Sequence, residues 1–279
     1  MAAIADLSAL INRATGGNSG TPDNLFFHKQ ARIAGAAATA NIAGRPASLW
    51  RYDGQPGPGA VPTTVAIPDN TTAGGLLQAD AGGGRDKWLY SAFASGLVAG
   101  TLILYDRLLH IGGLSGTSAS TQTVGGTLTR YTDGVGNVAW AEIYTIIGTT
   151  ATTVKLSDYT NQAGTDNQVG SLVAMGGTGF REVTRIIDLP LAAGDNGIRD
   201  IDSVQLTATT GTVGDWGVTI GHPLAYIGIG TPGGAGWRDF STGMPGIPKI
   251  EPGACLAFRW TPNTVTAPEI FGALSMLEA

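Results

Sequence analysis

Glycine stands at 43 of 279 positions with no triplet period, and this constrains the chain more than any motif in it. Average usage is ~7%. Each glycine inside a helix or strand costs ~0.5–1 kcal/mol relative to alanine, so much of this chain has to be turns and bulges. Only 13% of residues are charged while 43% are hydrophobic. That balance excludes general disorder and allows a sizeable core. Without a triplet period a collagen helix is excluded as well. The expectation is a β-rich shell component and not an enzyme.

The net charge of −5 argues against nucleic-acid binding by the whole protein. Cys255 is the single cysteine, so no internal disulfide forms, and folding inside a cell is expected. Met1–Ile11 carries Asp6 and lacks the basic and apolar regions of a secretory signal. The longest apolar-leaning run, Ser91–Tyr105, is broken by Gly96 and Gly100 and falls short of the ~20 residues of a membrane helix. No membrane partner is expected.

One short helix is expected at the start, where Ile4, Leu7, Ala9, Leu10 and Ile11 form a stripe that ends over Asn12–Gly17. From Asn18 to about Pro62, the small residues Ala34–Ala40 precede Pro46, Pro56, Pro58 and Pro62. Such proline density disfavours regular pairing, so residues 1–62 read as a helix plus an extended arm. Residues 1–60 carry five basic and three acidic side chains, a net +2 within the total of −5 that leaves −7 for the rest. A basic arm on an acidic body suits docking against an acidic partner.

Residues 63–279 read as an antiparallel β-sandwich or jelly roll, divisible into two β subdomains near 165–180. Strands are expected at Thr101–Leu109, Trp140–Ile147, Thr152–Thr160, Arg181–Leu191, Ser203–Ala208, Trp216–Ile229, Ala254–Trp260 and Ile270–Leu277. Several alternate with period two, as in Val154/Leu156 against Thr153/Lys155. Ile147–Ala151 reads as a hairpin tip and Asn161–Gly164 as a turn.

The chemistry-bearing residues assemble no recognisable site. His28, His110 and His222 lack metal-ligand spacing; His110 reads as a strand-end residue bonded to a carbonyl and His222 as a turn. Ser115 lies in an incomplete nucleophile-elbow pattern with no helix behind it. Cys255 reads as a core thiol. Gly228–Gly233 satisfies G-x-G-x-x-G, but no helix follows to hold a pyrophosphate. Asp188, Asp195, Asp200 and Asp202 cluster in sequence as turn and strand-face residues, with calcium binding in the 195–202 loop a minor alternative. No catalytic, cofactor or metal residue is assigned. Trp140 and Trp260 read as core. Trp50 and Trp237, beside Arg51 and Arg238, read as exposed. Together with Arg32 and Arg45 they form the expected protein interface.

Leu189-Pro190-Leu191, Gly194–Arg199, Ser203–Leu206, Thr209–Thr212 and Trp216–Thr219 through Pro223-Leu224 form one series of strand-turn-strand patterns. Glu142–Tyr144, Thr152–Val154, Tyr159–Gly164 and Gly44–Arg51 have the same character. Over about half its length the chain thus resembles the β-rich virion proteins of tailed bacteriophages, head decoration (cement) and minor capsid proteins in particular. The resemblance implies a non-enzymatic role on a capsid surface, made in the bacterial host cytoplasm. It also implies major capsid protein and copies of itself as partners, a homotrimer favoured, with no cofactor and no nucleic acid. A carbohydrate- or receptor-binding β-sandwich, such as a tail or head-fibre component, is the alternative. A glycosidase-like enzyme comes third.

Overall fold

The computed structural model describes residues 7–14, 23–33, 41–240, 246–265 and 269–278. A helix, α1 (Leu7–Ala14), precedes strands β1 (Asp23–Ile33), β2 (Ala47–Ser48), β3 (Tyr52–Gln55), β4 (Lys87–Gly96) and β5 (Gly100–Leu114). The middle of the chain supplies β6 (Gln122–Thr123), β7 (Val138–Thr145), β8 (Thr152–Asn161), β9 (Val173–Met175), β10 (Ile186–Asp188) and β11 (Ile198–Leu206). Strands β12 (Asp215–Ile229), β13 (Ala235–Asp239), β14 (Lys249–Ile250), β15 (Leu256–Pro262) and β16 (Ile270–Glu278) complete it.

These strands build three sheets, and every pairing between the named strands is antiparallel. An outer sheet has the order β13-β4-β16-β1-β3, with β14 also on β4. A central sheet runs β10-β7-β12-β5-β15-β2, and a smaller third sheet runs β6-β11-β8-β9. The fold is mainly β, an antiparallel sandwich. No helix among the described residues is long and apolar enough to cross a membrane.

Two cores follow from two very long strands. β5 and β12 are 15 residues each and pair along nearly their whole length. Leu102 and Leu104 of β5 with Ala225, Ile227 and Ile229 of β12 pack against Phe27, Leu89, Ala94 and Leu274 of the outer sheet. Further along the same strands, Leu109, Ile111, Val218 and Ile220 pack against Val154, Leu156, Ile201 and Val204 of the third sheet. Over their middle stretches β5 and β12 are buried on both faces, because alternate side chains point to opposite sides and each side is covered. A third cluster joins Trp50, Tyr105, Trp140 and Ala257.

The expected arm is corrected in part. β1 is an interior strand, paired on one side with β16 and on the other with β3. β2 pairs with β15 of the central sheet. The prolines permit this because Pro46 and Pro56 flank the short strands, where no ladder N–H is required. Lys29, buried in β1, donates to the carbonyls of Tyr52 (3.1 Å) and Pro56 (2.8 Å), tying the segment down. Burial pushes its ammonium down to about 7, against the pull of Asp53. Residues 34–40, and Ile4 of the expected helical stripe, lie outside the described residues.

Other expectations move as well. Ile147–Ala151 is no hairpin tip, because β7 lies in the central sheet and β8 in the third, so this loop crosses between them. Of Arg181–Leu191 only Ile186–Asp188 pairs as a strand. The run Ser91–Tyr105 is a crossover, with the end of β4 in the outer sheet, a short loop, and the start of β5 in the central sheet. Asn161–Gly164 is a turn, with the Asn161 carboxamide oxygen accepting from the N–H groups of Ala163 and Thr165.

Candidate functional site

The side chains at Leu25-Phe26-Phe27-His28 alternate across β1. Phe27 turns inward and meets Phe258 of the central sheet at a centroid distance of 4.3 Å. Phe26 therefore turns outward. Opposite it across the ladder stands Ala273 of β16, opposite Ala273 stands Phe93 of β4, and opposite Phe93 stands Trp237 of β13. Directly paired residues share a face, so an apolar row crosses four neighbouring strands. Phe271 lies in the next row, opposite His28, with the two rings edge-to-face at 6.5 Å. Phe93 and Trp237 approach to 6.4 Å.

Phe26 is 74% exposed, Trp237 69% and Phe271 45%. Phe26 and Trp237 are the two most exposed large apolar side chains among the described residues. A polar pair borders the row, His28 Nε2 to Glu269 Oε1 at 3.1 Å. Aromatic anchors with a polar rim are the usual anatomy of a protein interface.

Only part of the expected interface converges on this face. Trp237 belongs to the row. Arg238, next on β13, donates from Nε to the Tyr226 carbonyl (2.6 Å). Arg32 lies at the far end of β1 from Phe26. Arg45 stacks over the Phe180 ring at 3.9 Å, and Arg51 is half-buried. Trp50 is a correction: it is 1% exposed, its Nε1 donates to the Ala60 carbonyl, and the Arg107 guanidinium covers its ring. Gly74, at φ +100, passes so close to that ring that a Cβ would collide with it. Phe26, Phe93 and Phe271 escaped the sequence reading, although Phe26-Phe27 in a proline-free run is the signature of a strand with one aromatic on each face.

The strongest polar constellation lies inside the protein. Arg107, fully buried in β5, donates from Nη2 to Glu142 Oε2 (2.9 Å) and to the Tyr144 hydroxyl (3.1 Å). Its Nη1 donates to the Tyr105 hydroxyl (3.2 Å) and its Nε to His110 Nδ1 (2.9 Å). Thr219 Oγ1 donates to Glu142 Oε2 (3.2 Å). Beside this network, Arg130 makes a two-pronged pair with the buried Asp106, whose Oδ1 also accepts from the Cys255 N–H. His110 is thus a mid-strand acceptor and not a strand-end residue. Burial, then the Arg107 charge, push its imidazole down to about 2. His222 also lies within a strand, stacked on Tyr131 at 3.8 Å, because Pro223 is accommodated inside β12 at an irregularity in its pairing.

The remaining candidates resolve simply. Cys255 is buried, and its thiol is pushed up to about 12 by burial first. Gly228–Gly233 runs from the end of β12 into a turn before β13. Asp195 accepts from the Tyr159 hydroxyl and from Asn161 Nδ2, and Asp200 accepts from the Thr160 N–H, so these two carboxylates are engaged by their neighbours. The carboxylates that converge among the described residues are Asp158, Asp166 and Asp202, with oxygens within 4.8 Å of one another and the last two exposed.

No protein-family model matches this chain, and no curated protein does. Among solved structures, it is compared with the VP1 protein of Trichodysplasia spinulosa-associated polyomavirus in complex with 3'-sialyllactose. The match covers 94% of this chain and 96% of that one, at 10% identity and a TM-score of 0.12. A score that low carries no argument about fold or function.

Proposed function

We propose that this chain is a non-enzymatic structural protein of a virion, a decoration or cement component that docks on a capsid lattice through the outer face of its outer sheet. The carrying observation is the row Trp237–Phe93–Ala273–Phe26, with Phe271 beside it. An exposed patch of this kind marks an interaction surface on a folded protein. At ~25 cal/mol per Å² and ~150–250 Å² per aromatic, covering Phe26, Trp237 and Phe271 is worth on the order of 9 kcal/mol gross, before association costs. The partners in this reading are major capsid subunits and further copies of the chain, as a homo-oligomer with a trimer favoured. Multiple copies on one lattice add avidity.

Two further observations support the reading. The buried charges of Arg107, Glu142, Asp106 and Arg130 are engaged with one another and not presented in an open cleft. The strand-turn-strand patterns of residues 189–224 resemble those of phage virion proteins and support a position on a capsid surface. Docking by a sheet face replaces docking by a free arm in this reading, since β1, β2 and β3 of the expected arm are built into the sheets.

The test is co-sedimentation of the purified protein with capsids from a lysate in which its gene has been deleted. Wild-type protein is expected to pellet with the particles, while Phe26→Ser/Trp237→Ser stays in the supernatant with an unchanged thermal midpoint. Undiminished retention of that double variant would overturn the assignment of the face.

A further inference from the structure

We propose that a groove on the opposite side of the sandwich is a binding site for a neutral oligosaccharide. Its floor is the row Tyr226–Ile103–Arg259, cross-strand neighbours on β12, β5 and β15. The alternating residues Leu102, Leu104, Phe258 and Trp260 point the other way, into the core shared with the outer sheet. The groove therefore faces away from the aromatic row. It encloses about 650 Å³ and is walled by Asp188 and by the segment from Leu189 to Asn196, a size within the ~300–1,000 Å³ of small-molecule sites.

Three features together point to a sugar. First, Tyr226 is 51% exposed on the floor, giving an aromatic ring on which the apolar C–H face of a sugar can stack. Second, acceptors are fixed in its wall. Arg259 holds Asp188 in a parallel fork, Nη1 to Oδ1 at 2.8 Å and Nη2 to Oδ2 at 2.9 Å, while lying over Trp140. Asp195, also in the lining, is held by the Tyr159 hydroxyl and by Asn161 Nδ2, and the same Tyr159 hydroxyl accepts from the Ala192 N–H. Carboxylates immobilised this way keep lone pairs for vicinal hydroxyl groups without paying ordering entropy on binding. Asn196 adds an amide at the rim.

Third, the charge of the groove selects among ligands. Two carboxylates face one guanidinium, so an anionic sugar is repelled. Arg259 neutralises Asp188, while Asp195 is held by neutral donors and keeps its charge, so the groove carries a net negative charge that an uncharged sugar tolerates and an acidic one does not. A neutral, hydroxyl-rich chain satisfies every one of these conditions. This inference goes beyond docking and needs none of it, although a protein seated on a particle by its aromatic face would hold the groove toward the surroundings.

The experiment titrates the full chain with neutral gluco-, malto- and N-acetylglucosamine oligomers and with sialyllactose, by NMR or calorimetry. Saturable binding of at least one neutral oligomer is expected, weakened at least about tenfold by Tyr226→Ala and unaffected by Trp237→Ala. Asn196→Ala, at an exposed rim position, is expected to weaken it several-fold and serves if Tyr226→Ala does not fold. Asp188→Ala frees Arg259 and is expected to shift preference toward sialyllactose. Absence of binding by every neutral oligomer would overturn the proposal, as would stronger binding of sialyllactose by the wild type. Both outcomes are independent of whether the protein pellets with capsids.

Discussion

Removing the Glu142 carboxylate by Glu142→Leu should destabilise the protein far more than its place in a single ion pair suggests. Arg107 would keep three neutral acceptors, the hydroxyls of Tyr105 and Tyr144 and His110 Nδ1, and the face of Trp50 at 4.4 Å. It would lose Glu142, its one ion-pair partner among the described residues, at a position with no solvent exposure. Breaking a buried pair from one side costs ~3–5 kcal/mol, or roughly 6–20 °C in thermal midpoint at ~2–4 °C per kcal/mol for a domain of this size class. Arg107→Met should cost a similar amount at pH 7, because it leaves the Glu142 carboxylate buried without its partner. The double variant Arg107→Met/Glu142→Leu leaves no unpaired charge. It still strands the hydroxyls of Tyr105 and Tyr144, each worth ~1–3 kcal/mol if unsatisfied. Urea denaturation of the four proteins at pH 7 closes the cycle. The double variant should be more stable than the summed singles by at least ~2 kcal/mol; additivity within ~0.5 kcal/mol would refute the reasoning.

Three further outcomes are expected. Gly272→Ala places a methyl group against the Phe27 ring and the Phe93 carbonyl, and should lower stability by ~1–3 kcal/mol in denaturant titration, whereas a neutral result would mean that Phe27 is not held as described. Native Cys255 should resist a thiol-disulfide reagent at pH 8 and react completely in urea; rapid labelling of the native protein would contradict its burial and its thiol pKa of about 12. With the His110 pKa lowered to about 2, the unfolded chain takes up a proton below pH 6.5 that the folded chain does not. Stability should therefore fall as pH is lowered through that range, by roughly 2 kcal/mol between pH 6.5 and 5. In His110→Gln, which keeps an acceptor for Arg107, the measured slope should lose about one proton's worth.

The β body was legible because its signal is local. Val154 and Leu156 turn inward in β8 while Thr153 and Lys155 do not, and Trp140 and Trp260 are core residues as expected. What escaped depends on partners distant in sequence. Asp23–Ile33 presents Asn24, Phe26, Gln30 and Arg32 to solvent, so beside a proline-rich stretch it reads as an arm, and only the ladders from β16 and β3 reveal an interior strand. Trp50 has an arginine neighbour and no local apolar pattern. Its burial comes from Ala60, Gly74 and Arg107, brought together by the fold. The partnership of His110 with Arg107 depends on the irregular pairing that sets Arg107 opposite Gly221 and Leu109 opposite Ile220. The aromatic row was invisible for the same reason, since its members come from four strands and meet only through register.

The two long strands that cross both cores have a mechanical consequence. Because β5 and β12 are clamped by the outer sheet at one end and by the third sheet at the other, neither lobe can melt while its neighbour stays whole. Prying at either end has to shear a continuous ladder that the far end still grips, so the protein behaves as one cooperative unit with two heads on a common spine.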